Sequence, residues 1–154
     1  MKRQLLFLYA MIVLAGVVSS SSFELYDVTV EGLVYCRCNL TGYAYDPRVD
    51  GFPLSGIVAS LKCDIGSYHT QVNATTDNSG YFQVSTKMVK KYIGHYCTVY
   101  MLSSPLSQCY VPSELKVTGT GSKLIYESEK SEPGSFYSAG LVLIGPTNST
   151  SCNA

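Results

Sequence analysis

Along residues 28–38 apolar and polar side chains alternate. Val28, Val30, Val34, Cys36 and Cys38 share one face of an extended chain, and Thr29, Glu31, Tyr35 and Arg37 share the other. That period of two predicts a half-buried strand. The same pattern groups Ile57, Ala59, Leu61 and Cys63, and again Cys97, Val99 and Met101 within a run from His95 to Leu102. Cys63 and Cys97 therefore each fall on the apolar side of a strand, where an inter-sheet or cross-strand disulfide can form. Further β-rich runs lie at 81–86, around 123–126 and at 141–144, and His69 opens another. Asp50-Gly51-Phe52-Pro53 and Asp77-Asn78-Ser79-Gly80 read as tight turns, because Asp and Asn bond their own backbone and Gly accepts positive φ. Residues 88–93 are the one place where a short helical turn is expected, and no segment sustains a 3.6-residue stripe. About seven short strands with turn signals between them predict an all-β sandwich or barrel.

The N-terminus departs from this pattern. Lys2 and Arg3 precede an uncharged run from Leu5 to Val18, followed by Ser19 to Ser22. Basic, apolar and small residues in that order predict a secretory signal peptide over residues 1–22, cut between Ser19 and Phe23. The run is shorter than the roughly 20 apolar residues of a membrane span, so no membrane span is expected after cleavage. Residues 23–154 remain as a single domain, within the usual size of roughly 100–200 residues. Lys2 and Arg3 leave with the leader, so 11 basic residues fall to 9 against 11 acidic, a net −2. The charges are interspersed, which excludes the basic block of a nucleic-acid footprint.

Export changes the meaning of the cysteines. Cys36, Cys38, Cys63, Cys97, Cys109 and Cys152 are six, an even number that in an oxidising compartment reads as three disulfides of open pairing. A zinc site is disfavoured, since only Cys36-Arg37-Cys38 forms a close pair. Asn39-Leu40-Thr41, Asn73-Ala74-Thr75 and Asn148-Ser149-Thr150 are N-glycosylation sequons, expected at the surface. The protein is therefore expected to be a secreted, extracellular glycoprotein.

Catalytic chemistry is hard to assemble. No G-x-S-x-G, H-E-x-x-H, Walker-type or dinucleotide fingerprint is present, and no cofactor is expected. Gly119-Thr120-Gly121-Ser122-Lys123 lacks phosphate-loop spacing and reads as a solvated hairpin turn. His69 and His95 have no partner evident in sequence. Asp46 and Asp50 lie in turn chemistry rather than as a glycosidase pair, and Glu127, Glu129 and Glu132 read as a solvated loop. All of the 13 tyrosines but Tyr9 lie beyond the leader. They suit half-buried strands, ring inside and hydroxyl at water; the sharper alternative is that some line a sugar-binding face. The expectation is a protein without enzymatic activity.

Several blocks carry a family resemblance. Glu31-Gly32-Leu33-Val34-Tyr35-Cys36, then 53–63 (PLSGIVASLKC), then Thr76-Asp77-Asn78-Ser79-Gly80-Tyr81-Phe82, then Cys97 through Ser104-Pro105 to Cys109 follow one another in order. This ordered set resembles the olive pollen major allergen family (Ole e I-like, grouped with extensin-like proteins). The resemblance implies a disulfide-stapled antiparallel β-sandwich of transthyretin-like character and a non-enzymatic protein of the plant cell wall. Implied partners are wall polysaccharides or glycoproteins during growth of pollen, root hair or similar. The alternative is a receptor ectodomain in growth signalling. The family pairing, carried over, joins Cys36 to Cys109, Cys38 to Cys152 and Cys63 to Cys97. Here Arg37 alone separates the first two cysteines, where the family has two residues. In a regular strand both sulfurs then face the same way, so an exchanged Cys36–Cys152 pairing stays open. Pro-rich and His-rich arms are missing.

Overall fold

The computed structural model describes residues 24–37, 51–107, 109–128 and 134–145. The expected leader, Cys38, Asn39, Asp46, Asp50, Glu129, Glu132, Asn148 and Cys152 lie outside them. The described residues form β1 (Tyr26–Arg37), β2 (Gly51–Pro53), β3 (Val58–Ile65), β4 (Tyr68–Thr75), β5 (Tyr81–Met88), β6 (Cys97–Met101), β7 (Ile125–Tyr126) and β8 (Ser135–Ile144), with one 3-10 turn at Ser113–Leu115. One sheet runs β2-β1-β8-β7, with β5 also pairing β1; the other runs β4-β3-β6. This is an all-β fold of two sheets that contains disulfides.

The alternation in β1 does what the sequence pattern demands. Val28, Val30, Val34 and Cys36 are buried at 1% exposure or less, and meet Ala59, Leu61, Cys63, Val99 and Met101 from the other sheet in one core. Apolar burial of this kind stabilises by about 25 cal/mol per Å², which is why the inward face of each central strand is so uniformly apolar.

One edge of β1 is shared between two strands. β5 pairs with its first part, from Tyr26↔Met88 to Leu33↔Tyr81, and β2 with its end, from Tyr35↔Pro53 to Arg37↔Gly51. The changeover falls at Val34, whose N–H donates to the Gly80 carbonyl at 2.8 Å and whose carbonyl accepts the Leu54 N–H at 3.0 Å. The chain between Leu54 and Gly80 is thus an excursion into the second sheet. Thr76 staples its two ends: its buried hydroxyl donates to the Leu54 carbonyl at 2.6 Å and accepts the Ile57 N–H at 2.9 Å.

Three expectations need correction. Pairing is not antiparallel throughout, because β1 and β8 run parallel, with a register shift between Glu31 and Leu33. β8 carries the extra residue there: Gly140 takes φ +69°, and Ser122 Oγ donates to the Ala139 carbonyl at 3.0 Å. Such bulges need a residue that accepts left-handed backbone. Second, Gly51–Pro53 is a short edge strand rather than a turn, a position that tolerates proline's missing N–H. Third, residues 89–93 form no helix; they are an irregular connection tied to the core, as described next.

Candidate functional site

The connection from β5 to β6 begins after the buried Met88 with Val89-Lys90-Lys91-Tyr92 and turns at Ile93-Gly94-His95-Tyr96. Ile93 is fully buried, and its carbonyl accepts the N–H groups of Tyr96 and Cys97, each at 2.9 Å. The Tyr96 carbonyl then accepts the Asp64 N–H at 2.9 Å, so the turn leads straight into the β3–β6 pairing.

Tyr137 of β8 fixes the segment from beneath. Its hydroxyl, on a side chain only 2% exposed, donates to the Lys91 carbonyl and accepts the Ile93 N–H, both at 3.0 Å. Burial raises its pKa above that of an ordinary phenol, so it remains a donor. Two backbone groups of an irregular loop are thereby satisfied by one core side chain.

Above this anchor lies an open groove of about 600 Å³ lined by Tyr26, Val89, Lys90, Lys91, Tyr92, His95 and Tyr96. Lys90 Nζ donates to the Tyr96 hydroxyl at 3.0 Å and stands 4.2 Å from that ring's centroid, which holds the ammonium beside an aromatic face. Tyr92, 63% exposed, meets the Tyr126 ring edge-on at 5.6 Å, and Tyr126 in turn tilts against Tyr137 at 5.3 Å. Tyr26 donates to Glu24 at 3.1 Å; that hydrogen bond, and then the carboxylate's charge, raise the phenol's pKa. The groove offers aromatic faces and cationic donors, the equipment for holding a polar ring-bearing ligand. It brings no nucleophile against a base.

The sequence singled out none of these residues as a set, although Lys90-Lys91-Tyr92-Ile93-Gly94-His95-Tyr96 concentrates three aromatic rings and two lysines. His95 sits in the turn rather than on a strand. His69 does have a partner: its Nδ1 lies 2.8 Å from Asp64 Oδ1, because the two are register partners across the β3–β4 hairpin. Both side chains are exposed. The Gly119–Lys123 stretch is no free hairpin either, since Ser122 bridges Val99 and Gly121 packs against β6. Glu127 donates its backbone N–H to the Phe136 carbonyl at 2.9 Å beside β8.

Among the predicted modification and disulfide positions, Asn73 is exposed on β4, on the same face as Thr75. Cys63 and Cys97 are directly opposite in register and bonded, Cα–Cα 4.1 Å. Cys36 is bonded to Cys109, Cα–Cα 5.7 Å. The antiparallel bridge Tyr110↔Gly145 brings the segment that holds Cys109 against the end of β8, whose Ile144 is the register partner of Cys36. Among the described residues no group of three or more His, Cys, Asp or Glu is placed to hold a metal, and no helix is long and apolar enough to cross a membrane.

Two sheets of short strands, stapled within one sheet by Cys63–Cys97 and from β1 to the 109 segment by Cys36–Cys109, define a disulfide-containing all-β fold. No family model matches the chain. The chain is 34% identical over 96 residues to a pistil-specific extensin-like protein of Nicotiana tabacum, covering 62% of this chain and 22% of that protein. The matched part is thus under a quarter of the tobacco protein's length. The crystal structure of the major plantain pollen allergen Pla l 1 overlays with a TM-score of 0.55 at 15% identity, over 83% of this chain and 99% of the allergen. A dioxygenase domain from Streptomyces sp. SirexAA-E reaches a TM-score of only 0.39, too low to inform function. The sequence match is thus to part of an extensin-like protein, and the plantain allergen shares the fold.

Proposed function

We propose that this chain is a non-enzymatic, secreted plant protein of the extracellular space or cell wall, and that it binds wall polysaccharide or glycoprotein through the Tyr26–Tyr96 groove. The observation that carries this reading is the groove itself: Tyr26 of β1 beside two tyrosines and two lysines on a loop pinned to the core through Tyr137. Saccharides are bound by stacking on aromatic faces and by hydrogen bonds to charged or polar side chains. A loop held in place before binding avoids part of the ordering cost. Extracellular placement is supported by the two disulfides, which persist in oxidising compartments, and by the extensin-like and pollen-allergen relatives.

The test is a panel of plant wall polysaccharides probed with the oxidised protein and with a Tyr92→Ala variant. Selective binding that the variant loses supports the proposal. Binding that the variant retains moves the site elsewhere, and a blank panel on folded protein ends the wall-glycan reading.

A second reading, a ligand for a receptor ectodomain, is favoured by one other feature. Leu102, Leu106 and Tyr110, each 36–41% exposed, surround a depression of about 250 Å³ beside Lys116. Exposed apolar clusters of this sort mark protein contacts. A Leu106→Asp variant that loses binding to a growth-receptor ectodomain while keeping glycan binding would separate the two readings.

A further inference from the structure

We infer that the groove is built for an acidic saccharide, a chain of uronic acid residues whose carboxylates meet Lys90 and Lys91 while sugar faces rest on Tyr92 and Tyr96. This inference rests on the wall-glycan reading above and deepens it.

Charge points to the acid. The seven lining residues include two lysines and a histidine and not one carboxylate. The Glu24 carboxylate is engaged with the Tyr26 hydroxyl. The nearby Asp27 is engaged too, with Lys87 Nζ at 2.9 Å. A neutral sugar chain laid here would cover two ammonium groups without returning any charge to them. A uronate returns one carboxylate per ring, and hydrogen bonds between ionised partners are about twice as strong as neutral ones.

Placement points to a ring-bearing acid rather than to polyanions at large. Lys90 Nζ lies 3.0 Å from the Tyr96 hydroxyl and over that ring. Cation and aromatic face are therefore presented together. Lys91 is fixed at its backbone, whose carbonyl accepts the Tyr137 hydroxyl at 3.0 Å. The groove volume of about 600 Å³ lies within the roughly 300–1,000 Å³ of small-ligand sites, suited to a short stretch of sugar rings.

The experiment compares oligogalacturonate, its fully methyl-esterified form, a neutral galactan and polyglutamate, each titrated against the oxidised full-length secreted protein by calorimetry. Oligogalacturonate should bind at low salt and weaken as salt is added. The ester, the galactan and polyglutamate should each bind at least about tenfold more weakly, the scale of one lost charge-assisted contact. Lys91→Glu and Tyr92→Ala, both exposed side chains, should each weaken oligogalacturonate by about tenfold or more, with Lys91→Glu leaving the melting temperature unchanged. Equal binding of ester or galactan, unaffected by Lys91→Glu, overturns the acidic specificity and leaves the wall-glycan reading standing. Equal binding of polyglutamate overturns it as well, reducing the groove to a cationic patch. Failure of every saccharide overturns both readings.

Discussion

The hydroxyl of Tyr137 donates a 3.0 Å hydrogen bond to the carbonyl of Lys91, 46 residues away in sequence. It accepts a second from the Ile93 N–H, so the core of one sheet sets the backbone of the groove's lysine-bearing loop. Tyr137→Phe keeps the ring and removes only this link. The Ile93 N–H is then left buried without its partner, at a cost of about 1–3 kcal/mol. Chemical denaturation should show that loss, and hydrogen exchange at Ile93 should quicken by more than the global destabilisation accounts for.

Gly80 and Gly66 both adopt left-handed backbone, at φ +75° and +61°. At Gly66 an added Cβ meets nothing within 4 Å, whereas at Gly80 it would run into the Val34 carbonyl. Gly66→Ala should therefore cost only the backbone strain, about 1–2 kcal/mol. Gly80→Ala should cost more than about 2 kcal/mol, because strain and overlap act together at the changeover of the β1 edge. Urea midpoints of the two variants, measured side by side, check the order.

Asp77 accepts three hydrogen bonds on one carboxylate oxygen, from the Ser79 hydroxyl at 2.7 Å, the Ser79 N–H at 2.8 Å and the Tyr81 N–H at 3.0 Å. The Ser79 hydroxyl first, then the Tyr81 N–H, lower its pKa below the ordinary carboxylate value. A group with a depressed folded-state pKa contributes stability above its unfolded pKa and loses it as pH falls through the folded value. The wild type should therefore lose this contribution below the usual carboxylate range. Asp77→Ala should be less stable at neutral pH, with the gap closing as the solution is acidified. Melting curves from neutral to strongly acidic pH read this directly.

Cys63–Cys97 and Cys36–Cys109 close separations of 34 and 73 residues. In the chain-entropy model these contribute about 3–4 and about 4–5 kcal/mol. Replacing Cys63 and Cys97 together with alanine should leave a weakened but folded protein, since β3 and β6 remain paired from Ala59↔Met101 to Lys62↔Thr98. Replacing Cys36 and Cys109 should be costlier, because among the described residues one backbone bridge, Tyr110↔Gly145, joins the 109 segment to the first sheet. Guanidinium unfolding of the two double variants tests the ranking.

Much of the fold was legible along the chain, for a local reason. A period of two places Val28, Val30, Val34 and Cys36 on one face whatever β1 pairs with, and likewise Ala59, Leu61 and Cys63 in β3 and Cys97, Val99 and Met101 in β6. The Asp77–Gly80 turn was equally legible, since an aspartate bonding its own backbone and a glycine at positive φ act within four residues. Gly51–Pro53 misled, because nothing local separates a turn from a short edge strand.

What only the tertiary structure decided are the long-range choices. Extended segments resemble one another, so sequence could not say that β8 would lie parallel to β1, nor that β5 and β2 would divide one edge of it at Val34. Alternation likewise left Cys36 two partners, until the fold bonded it to Cys109, 73 residues away. It showed His69 unpartnered, until the hairpin set it opposite Asp64. The groove is of the same kind: Tyr26 reaches it from the start of β1, the lysines from the loop after β5, and their support from Tyr137 in β8. Side-chain period is a property of neighbours in sequence, whereas strand partner, disulfide partner and binding surface depend on which distant segments the shared core draws together.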